Sequence, residues 1–429
     1  MTSLRPDRRQ WLGSSLAFGL PLGLSLAPTH RLSAQTPPPA PSQAIRIGAI
    51  GVGGQGGSNI GHQIKNIVAV CDVDRKRLGL ATERVQKDTG KAPVSVGDYR
   101  RILDNKEIDA VIISTPDHWH ARIAVDACEA GKHVYCEKPL TLCVREGRAI
   151  VNAARKNKRI VQTGSQQRSG KNFEIACEMV RKGALGKISL VEVGIPGVNF
   201  QGPPVPDSSA PAELDYDFWL GPAPKRPFNT KRVHYNFRFF WDYSGGQMTN
   251  WGAHHLDIAQ WGLGMDHSGP VKIEGAFTQH PQNWYEVPMN AKIEFTYPEN
   301  IRCVLAQGDP KVKGGTKFIG EKGWIWVNRG KFESSDPALT AQVSKEALRG
   351  DASPDHHKNW LDSIVSGKLP VCDAEIGHRS ATVCHLGNIA ARLKRAIKWD
   401  PAKEVCLDDK EANEMLTRSY RGPWKNPGV

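Results

Sequence analysis

The feature that most constrains this chain is Gly51-Val52-Gly53-Gly54-Gln55-Gly56, between an apolar run at 44–50 and a segment that opens a helix. In that setting each glycine has a physical task. Gly51 permits a tight turn, Gly53 lets the backbone approach a pyrophosphate, and Gly56 lets helix pack on strand. Gly54 and Gln55 open the helix, whose free N–H groups and positive end favour phosphate. Asp72 ends the next apolar run, 67–71, where a carboxylate accepts hydrogen bonds from ribose hydroxyls and disfavours a 2′-phosphate. The combination implies NAD, with NADP the lesser alternative because Arg75 and Lys76 lie close by. A glycine-rich turn without a ligand is the competing reading of the motif alone.

Apolar runs and helical patterns then alternate. Strands are expected at 44–50, 67–71, 109–114, 133–136 and 159–163, with helices at 75–88, 118–130 and 144–156. In the last helix Ala149, Ile150, Ala153 and Ala154 form one apolar face. Such alternation implies an α/β fold with a doubly wound parallel sheet. Beyond it, helices at 172–182 and 251–261 precede strand-like runs at 271–278, 290–297, 301–307 and 324–327. Strands without helices between them imply an α+β domain with an open, mainly antiparallel sheet. A Pro-rich insertion at 203–227 is expected near the active site or an interface, and a helix near 374–394 could pack back on the first domain.

The N-terminus reads as a targeting segment. Asp7-Arg8-Arg9-Gln10-Trp11-Leu12-Gly13 is a twin-arginine pattern, followed by an apolar stretch too short and too rich in Gly, Ser and Pro for a secure membrane span. The expected organisation is a signal peptide at 1–34, a Pro-rich linker at 35–43, a nucleotide-binding domain at 44–164 and a substrate and oligomerisation domain at 165–429. Export, to a periplasm for instance, follows; a disordered basic tail is the bland alternative. The net charge of +13 could suggest nucleic acid, but basic and acidic residues are mixed along the helices, as at 74–84. The nine cysteines show neither CxxC nor metal-ligand spacing, so no metal and no disulfide framework is expected.

Two loops at the expected C-terminal edge of the sheet carry polar groups: Thr115-Pro116-Asp117-His118-Trp119-His120 and Glu137-Lys138-Pro139-Leu140. Thr115, Pro116, His118, His120, Glu137 and Lys138 are therefore candidates to line the cofactor. Lys138 is either a group near the nicotinamide that bonds a substrate hydroxyl or a surface lysine at a strand end. Asn250, His254 and Asp257, at i, i+4 and i+7, share one face of a predicted helix. A histidine there can take a hydroxyl proton as hydride leaves carbon, or can be a structural ring held by a carboxylate. Arg168, Tyr235 and Arg238 are further candidates to contact substrate, with Gln166, Gln167, Trp241 and Asp242 beside them.

GxGxxG, Thr-Pro-x-x-x-His, Glu-Lys-Pro and Gly252-Ala253-His254-His255-Leu256-Asp257, in this order over about 44–400, resemble the Gfo/Idh/MocA oxidoreductases. The twin-arginine start and Asp242-Tyr243-Ser244-Gly245-Gly246-Gln247 look like that family's exported branch. The resemblance implies a Rossmann domain joined to an open-sheet domain with a sugar or polyol substrate between them. It also implies a substrate-contacting Lys138, an acid–base His254 and an oligomer built on the open sheet. One residue departs: at Asn250 family dehydrogenases usually carry Asp, and an amide supplies no negative charge. The leading expectation is NAD-dependent hydride transfer at a secondary hydroxyl of a sugar, cyclitol or glycoside, with the cofactor retained. The alternatives are a redox-assisted lyase or glycosidase on the same fold, and a cofactor-holding sugar-binding protein without turnover.

Overall fold

A computed structural model describes residues 44–199, 202–348 and 352–428. The twin-arginine segment and the whole of the Pro-rich linker lie outside the described residues.

Six short strands form a parallel sheet: β1 (Ile47–Ile50), β2 (Ile67–Cys71), β3 (Val94–Val96), β4 (Ala110–Ile113), β5 (His133–Cys136) and β6 (Val161–Thr163). Their order is β3-β2-β1-β4-β5-β6. The order reverses between β1 and β4, which opens a crevice at the strands' C-terminal ends. β1 and β4 are buried along their whole length, as continuous aliphatic runs require when helices cover both faces. The covering helices are α1 (Gln55–Gln63), α2 (Arg75–Thr89), α3 (Tyr99–Asp104), α4 (Asp117–Glu129) and α5 (Val144–Lys156). Asp74 caps α2 by accepting from the Lys76 and Arg77 amides, and Gly90 ends it in the left-handed region.

The second part opens with α6 (Lys171–Arg181) and the long strand β7 (Ile188–Ile195). An insertion follows, carrying the short helix α7 (Tyr216–Leu220), and leads into α8 (Gly246–Asn250) and α9 (Gly252–Gly262). Then come β8 (Lys272–Thr278), β9 (Asn290–Thr296), β10 (Arg302–Gln307), β11 (Gly315–Gly320), β12 (Gly323–Asn328) and β13 (Lys331–Ser334). The chain ends through α10 (Pro337–Ala341), α11 (Ala352–Ser366), α12 (Ala374–Leu393), β14 (Ile397–Asp400) and β15 (Val405–Cys406). The nine strands run β13-β12-β11-β7-β10-β9-β8-β14-β15. Only the β7–β10 pairing is parallel, so the sheet is mainly antiparallel, as expected.

Two helices of the second part reach back to the first. α12 lies along α5, where Arg148 joins Glu375 at 2.6 Å. α11 seats Trp360 and His357 on Tyr135 of β5, the His357 and Tyr135 rings stacking at 4.3 Å between centroids. The insertion also returns: the Arg75 amide donates to the Glu213 carbonyl (2.9 Å) and the Asp215 amide to the Val73 carbonyl (3.0 Å). It thereby walls the crevice beside β2. All nine cysteines are buried with free thiols. No described helix is long and apolar enough to cross a membrane.

Candidate active site

The crevice is a continuous cavity of about 590 Å³ running from the glycine turn to the N-terminal end of α9. At one end the backbone is shaped for a close ligand. Gly51 has φ +79°, and a Cβ there would come within 2.8 Å of the Ser114–Thr115 peptide. A Cβ at Gly56 would overlap the Gly51 carbonyl, so this glycine serves helix–strand packing and does not line the cavity. Gly53, Gly54 and Gln55 do line it. The Arg77 guanidinium lies against Gly53, bringing a cation to the turn. Asp72 lines the same end, its carboxylate taking the Val52 amide at 2.9 Å and the Asp74 amide at 3.0 Å. Burial raises its pKa. Arg75 is drawn off to the Ala212 carbonyl (2.5 Å) and is absent from the cavity wall. A glycine cradle at a helix start and a carboxylate at the end of β2 fit the pyrophosphate and the unphosphorylated ribose of NAD.

The middle of the cavity is built by the β4–α4 loop. Thr115, Pro116 and His120 line it. His120 has both ring nitrogens on carbonyl oxygens, those of Pro139 (2.7 Å) and Thr115 (2.9 Å), and so ties the two loops together. The Thr115 hydroxyl is buried without a protein partner. His118 corrects the sequence reading. Its Nε2 meets the Trp219 carbonyl at 2.9 Å, and the ring packs beside Trp219 and Tyr243, outside the cavity. Two residues along a helix turn a side chain by about 200°, so His118 and His120 serve opposite sides.

At the far end Lys138 donates from Nζ to Asn250 Oδ1 at 2.6 Å. Asn250 in turn donates to Gln247 (2.9 Å), and Gln247 to the Gly197 carbonyl (2.8 Å). Glu137, behind Lys138, accepts from Asn59 (2.9 Å). Lys138 is thus a cavity residue, not a surface lysine. Burial pushes its pKa down to about 8, while Glu137 and Asp117 oppose the shift and Arg238 and Arg329 add to it. His254 is 6% exposed, and its Nδ1 is buried without a partner. Burial, followed by Lys138 and Arg329, holds its pKa well below 6.5, so the ring is neutral and can accept a proton.

Arg168 and Asp257 also correct the expectation. Both are buried away from the cavity in an ion pair, with Nε of Arg168 at 3.0 and 2.9 Å from the two Asp257 oxygens. Asp266 and Ser380 complete the cluster. The expected single helix is broken at Trp251: Asn250 ends α8, whereas His254 and Asp257 belong to α9, and Asp257 is turned to Arg168 and not to the cavity. Tyr235 and Arg238 do line the mouth, as does Gln166. Trp241 and Asp242 do not; Asp242 pairs with Arg226 at 2.5 Å. Sequence reasoning missed Arg329, from the β12–β13 turn, and Phe218 and Trp219, from α7. Nothing local marks these residues, because only tertiary folding brings them to the crevice. Among the described residues no group of three or more His, Cys, Asp or Glu could hold a metal ion.

Comparison with known proteins agrees with this architecture. The profile described as "Oxidoreductase family, NAD-binding Rossmann fold" matches residues 45–165. The profile "Oxidoreductase family, C-terminal alpha/beta domain" matches 200–426. An alpha-N-acetylgalactosaminidase of Shewanella oneidensis is 34% identical over 157 residues, 34% of either chain. A glycosyl hydrolase family 109 protein of Shewanella sp. strain ANA-3 matches to the same extent. The match therefore spans about a third of the length of these curated relatives. Among solved structures, the WlbA dehydrogenase of Chromobacterium violaceum in complex with NADH and UDP-GlcNAcA has a TM-score of 0.65 at 20% identity, covering 85% of this chain and 99% of that one. Levoglucosan dehydrogenase in complex with NADH has a TM-score of 0.64 at 17% identity, covering 83% and 99%. These likenesses establish the fold. With both profiles matched, the first domain is an NAD-binding Rossmann domain and the chain belongs to the Gfo/Idh/MocA oxidoreductase family.

Proposed function

We propose that the protein is an NAD-dependent oxidoreductase acting on a secondary hydroxyl of a sugar, cyclitol or glycoside. One observation carries the reading. Lys138, bonded to Asn250, and His254, with an unpartnered Nδ1, stand at the end of a cavity that begins at the glycine turn. Bound NAD would supply the hydride acceptor. Gly51, Gly53, Gly54 and Gln55 would hold its pyrophosphate and Asp72 its ribose, which favours NAD over NADP. Lys138 would donate a hydrogen bond to the reacting oxygen and fix its position. The neutral His254 ring would take the hydroxyl proton and return it in the reverse direction. Phe218, Trp219 and Trp251 also line the cavity and add apolar wall to it. The test is mass spectrometry of the cofactor released from purified protein, beside product analysis on a panel of sugars and glycosides. NADP as the sole released cofactor would remove the preference that rests on Asp72.

A second reading, a redox-assisted lyase or glycosidase with retained NAD, is favoured by the glycosidase names of the 34% identical relatives. It is favoured also by the amide at Asn250. A transient ketone acidifies the neighbouring C–H, permits elimination and is reduced again at the end. A net oxidised product separates the two readings. Export through the twin-arginine pathway is part of the proposal and rests on Arg8 and Arg9. Replacing both with lysine is expected to hold the precursor in the cytoplasm, and unchanged recovery outside it in a cell fractionation would refute this.

A further inference from the structure

We propose that the substrate is a sugar bearing a fixed negative charge, whose anionic group lies on Arg238 at the cavity mouth next to Lys138; this rests on the oxidoreductase reading above. The argument starts from what holds each charge. Arg238 lines the cavity and is fixed by neutral groups: one Nη donates to the Tyr235 carbonyl at 2.9 Å, and the guanidinium lies 4.7 Å from the Tyr235 ring centre and 4.6 Å from that of Phe237. Lys138 meets an amide.

The acids of the cavity are engaged elsewhere. Asp72 is at the glycine-turn end, on the Val52 and Asp74 amides. Glu137 is turned to Asn59, and Asp117 accepts from Ser244 at 2.6 Å. Both are buried and offset the charge of Lys138, and Asp117 also lies within the field of Arg238. Asp242, from the insertion, and Glu286, from the β8–β9 connection, are both spent on Arg226. Arg238 therefore presents a guanidinium held by a carbonyl and two rings, with no carboxylate among the described residues in hydrogen-bond contact, and a guanidinium fork matches a carboxylate or a phosphate through paired hydrogen bonds. Tyr235, 44% exposed, lies beside the fork. An aromatic face next to a fixed guanidinium suits the C–H face of a sugar ring carrying an acid group. The chain's net charge of +13 acts in the same direction at longer range.

The experiment uses protein with its cofactor content determined by release and quantification. Matched ligands are titrated calorimetrically and assayed for product: glucuronate, glucose 6-phosphate and glucose, then the same three forms of galactose. Within at least one set an anionic sugar is expected to exceed its neutral parent in kcat/KM by ~10-fold to ~100-fold, as hydrogen bonds to charged groups do. That advantage should shrink as salt is raised. Whichever anionic form leads identifies the group as carboxylate or phosphate. Arg238→Gln should lower the anionic-to-neutral ratio by about 10-fold, and Arg238→Lys should restore part of it. Neutral sugars turned over as well as or better than every anionic partner would overturn the proposal and leave the oxidoreductase reading intact. Absence of turnover on every sugar, with cofactor bound, would overturn both. If Arg238→Gln does not fold, the ratio and its salt dependence in the unaltered protein decide alone.

Discussion

Two clusters of charge in this molecule use the same residue types to opposite ends. Along the α5–α12 contact, Arg148 meets Glu375 at 2.6 Å and Glu404 at 2.6 Å, and Arg379 meets Glu375 at 2.8 Å. His378 meets Glu404 at 2.7 Å. Each arginine there faces a carboxylate supplied by the fold. At the cavity, Lys138 faces an amide, and Arg238 faces a carbonyl and two rings. A buried cation matched by acids is committed to structure, because removing either partner strands the other in low dielectric. A cation held by neutral groups keeps its field for something that arrives later. The difference lies in where the acids are, and each cluster can be broken or converted by single changes.

The largest effect is expected at the cavity. Lys138→Ala or His254→Ala should lower turnover by ~10²–10⁴-fold, the usual contribution of a positioned acid–base group. Cofactor content, measured by release and quantification, should change little, because the glycine turn and Asp72 are at the other end of the cavity. Near-normal turnover in both variants would move the chemistry away from these residues.

The paired cluster should respond in stability instead. Arg148→Met removes one of the two arginines that Glu375 and Glu404 share and leaves only Arg379 to both, at a site whose Arg148 side chain is 27% exposed. The cost should fall below the 3–5 kcal/mol of a fully buried pair, at about 2 kcal/mol, read from urea denaturation. The pH dependence has a definite sign. The Arg148 and Arg379 guanidiniums hold the Glu375 pKa down at about 2, against an ordinary 4.5, despite the opposing effect of burial. Its contribution is therefore complete above pH 4.5 and lost as pH falls towards 2. Arg148→Met should flatten that acid limb, and an unchanged limb would show that Arg148 is not its source.

These two clusters were unequally legible in the sequence. The glycine turn and Asp72 were readable because each sits at a fixed place relative to a strand end or a helix start, and strand ends are where a parallel sheet exposes its backbone. For Lys138 and His254 position left a surface or structural role open, and the family resemblance singled them out. Helices α2, α5, α6, α9 and α12 were readable from apolar spacing to within about a residue or two. Strand β3 was missed because it is a three-residue edge strand with two exposed positions. Arg329 and α7 reach the cavity from far along the chain, and local pattern carries no such information. Asp257 shows the converse error: the spacing of Asn250, His254 and Asp257 suggested one helix face, whereas the helix breaks at Trp251 and Asp257 is committed to Arg168, a residue far along the chain.

A titration separates the clusters more finely. Lys138, with its pKa at about 8, is faced by Glu137 and Asp117 as acids, by Arg238 and Arg329 as cations and by the neutral His254. As pH rises through about 8 the cavity loses one positive charge. Both hydroxyl positioning and affinity for an anionic sugar should then decline, by less than the loss in Lys138→Ala because the side chain remains. His254 titrates well below 6.5 and so imposes no limb between pH 6.5 and 8. The expected kcat/KM profile is flat near pH 6.5, bends down as pH nears about 8 and falls beyond it, and a profile still flat at about pH 10 would exclude the Lys138 ammonium as the working form.

Asn250→Asp has the smallest expected effect and converts one kind of cluster into the other. The change places a carboxylate where the amide oxygen now lies, 2.6 Å from Lys138 Nζ. An opposite charge at that distance favours the ammonium, so the alkaline limb should move up by roughly one pH unit or more. The same carboxylate spends the field of Lys138 within the fold, as Glu375 spends that of Arg148. Preference for an anionic sugar over its neutral parent should therefore fall about 10-fold, while neutral sugars lose little. The fate of the reaction is informative as well. A dehydrogenase that tolerates the amide should keep or gain sugar oxidation, since an acid beside Lys138 steadies the group that positions the hydroxyl. A redox-assisted lyase should instead lose elimination, because the added negative charge opposes carbanion formation beside the ketone. Should the alkaline limb stay in place after the substitution, the Lys138–Asn250 contact does not govern the lysine's proton, and the contrast between matched and unmatched cations would have to rest on Arg238 alone.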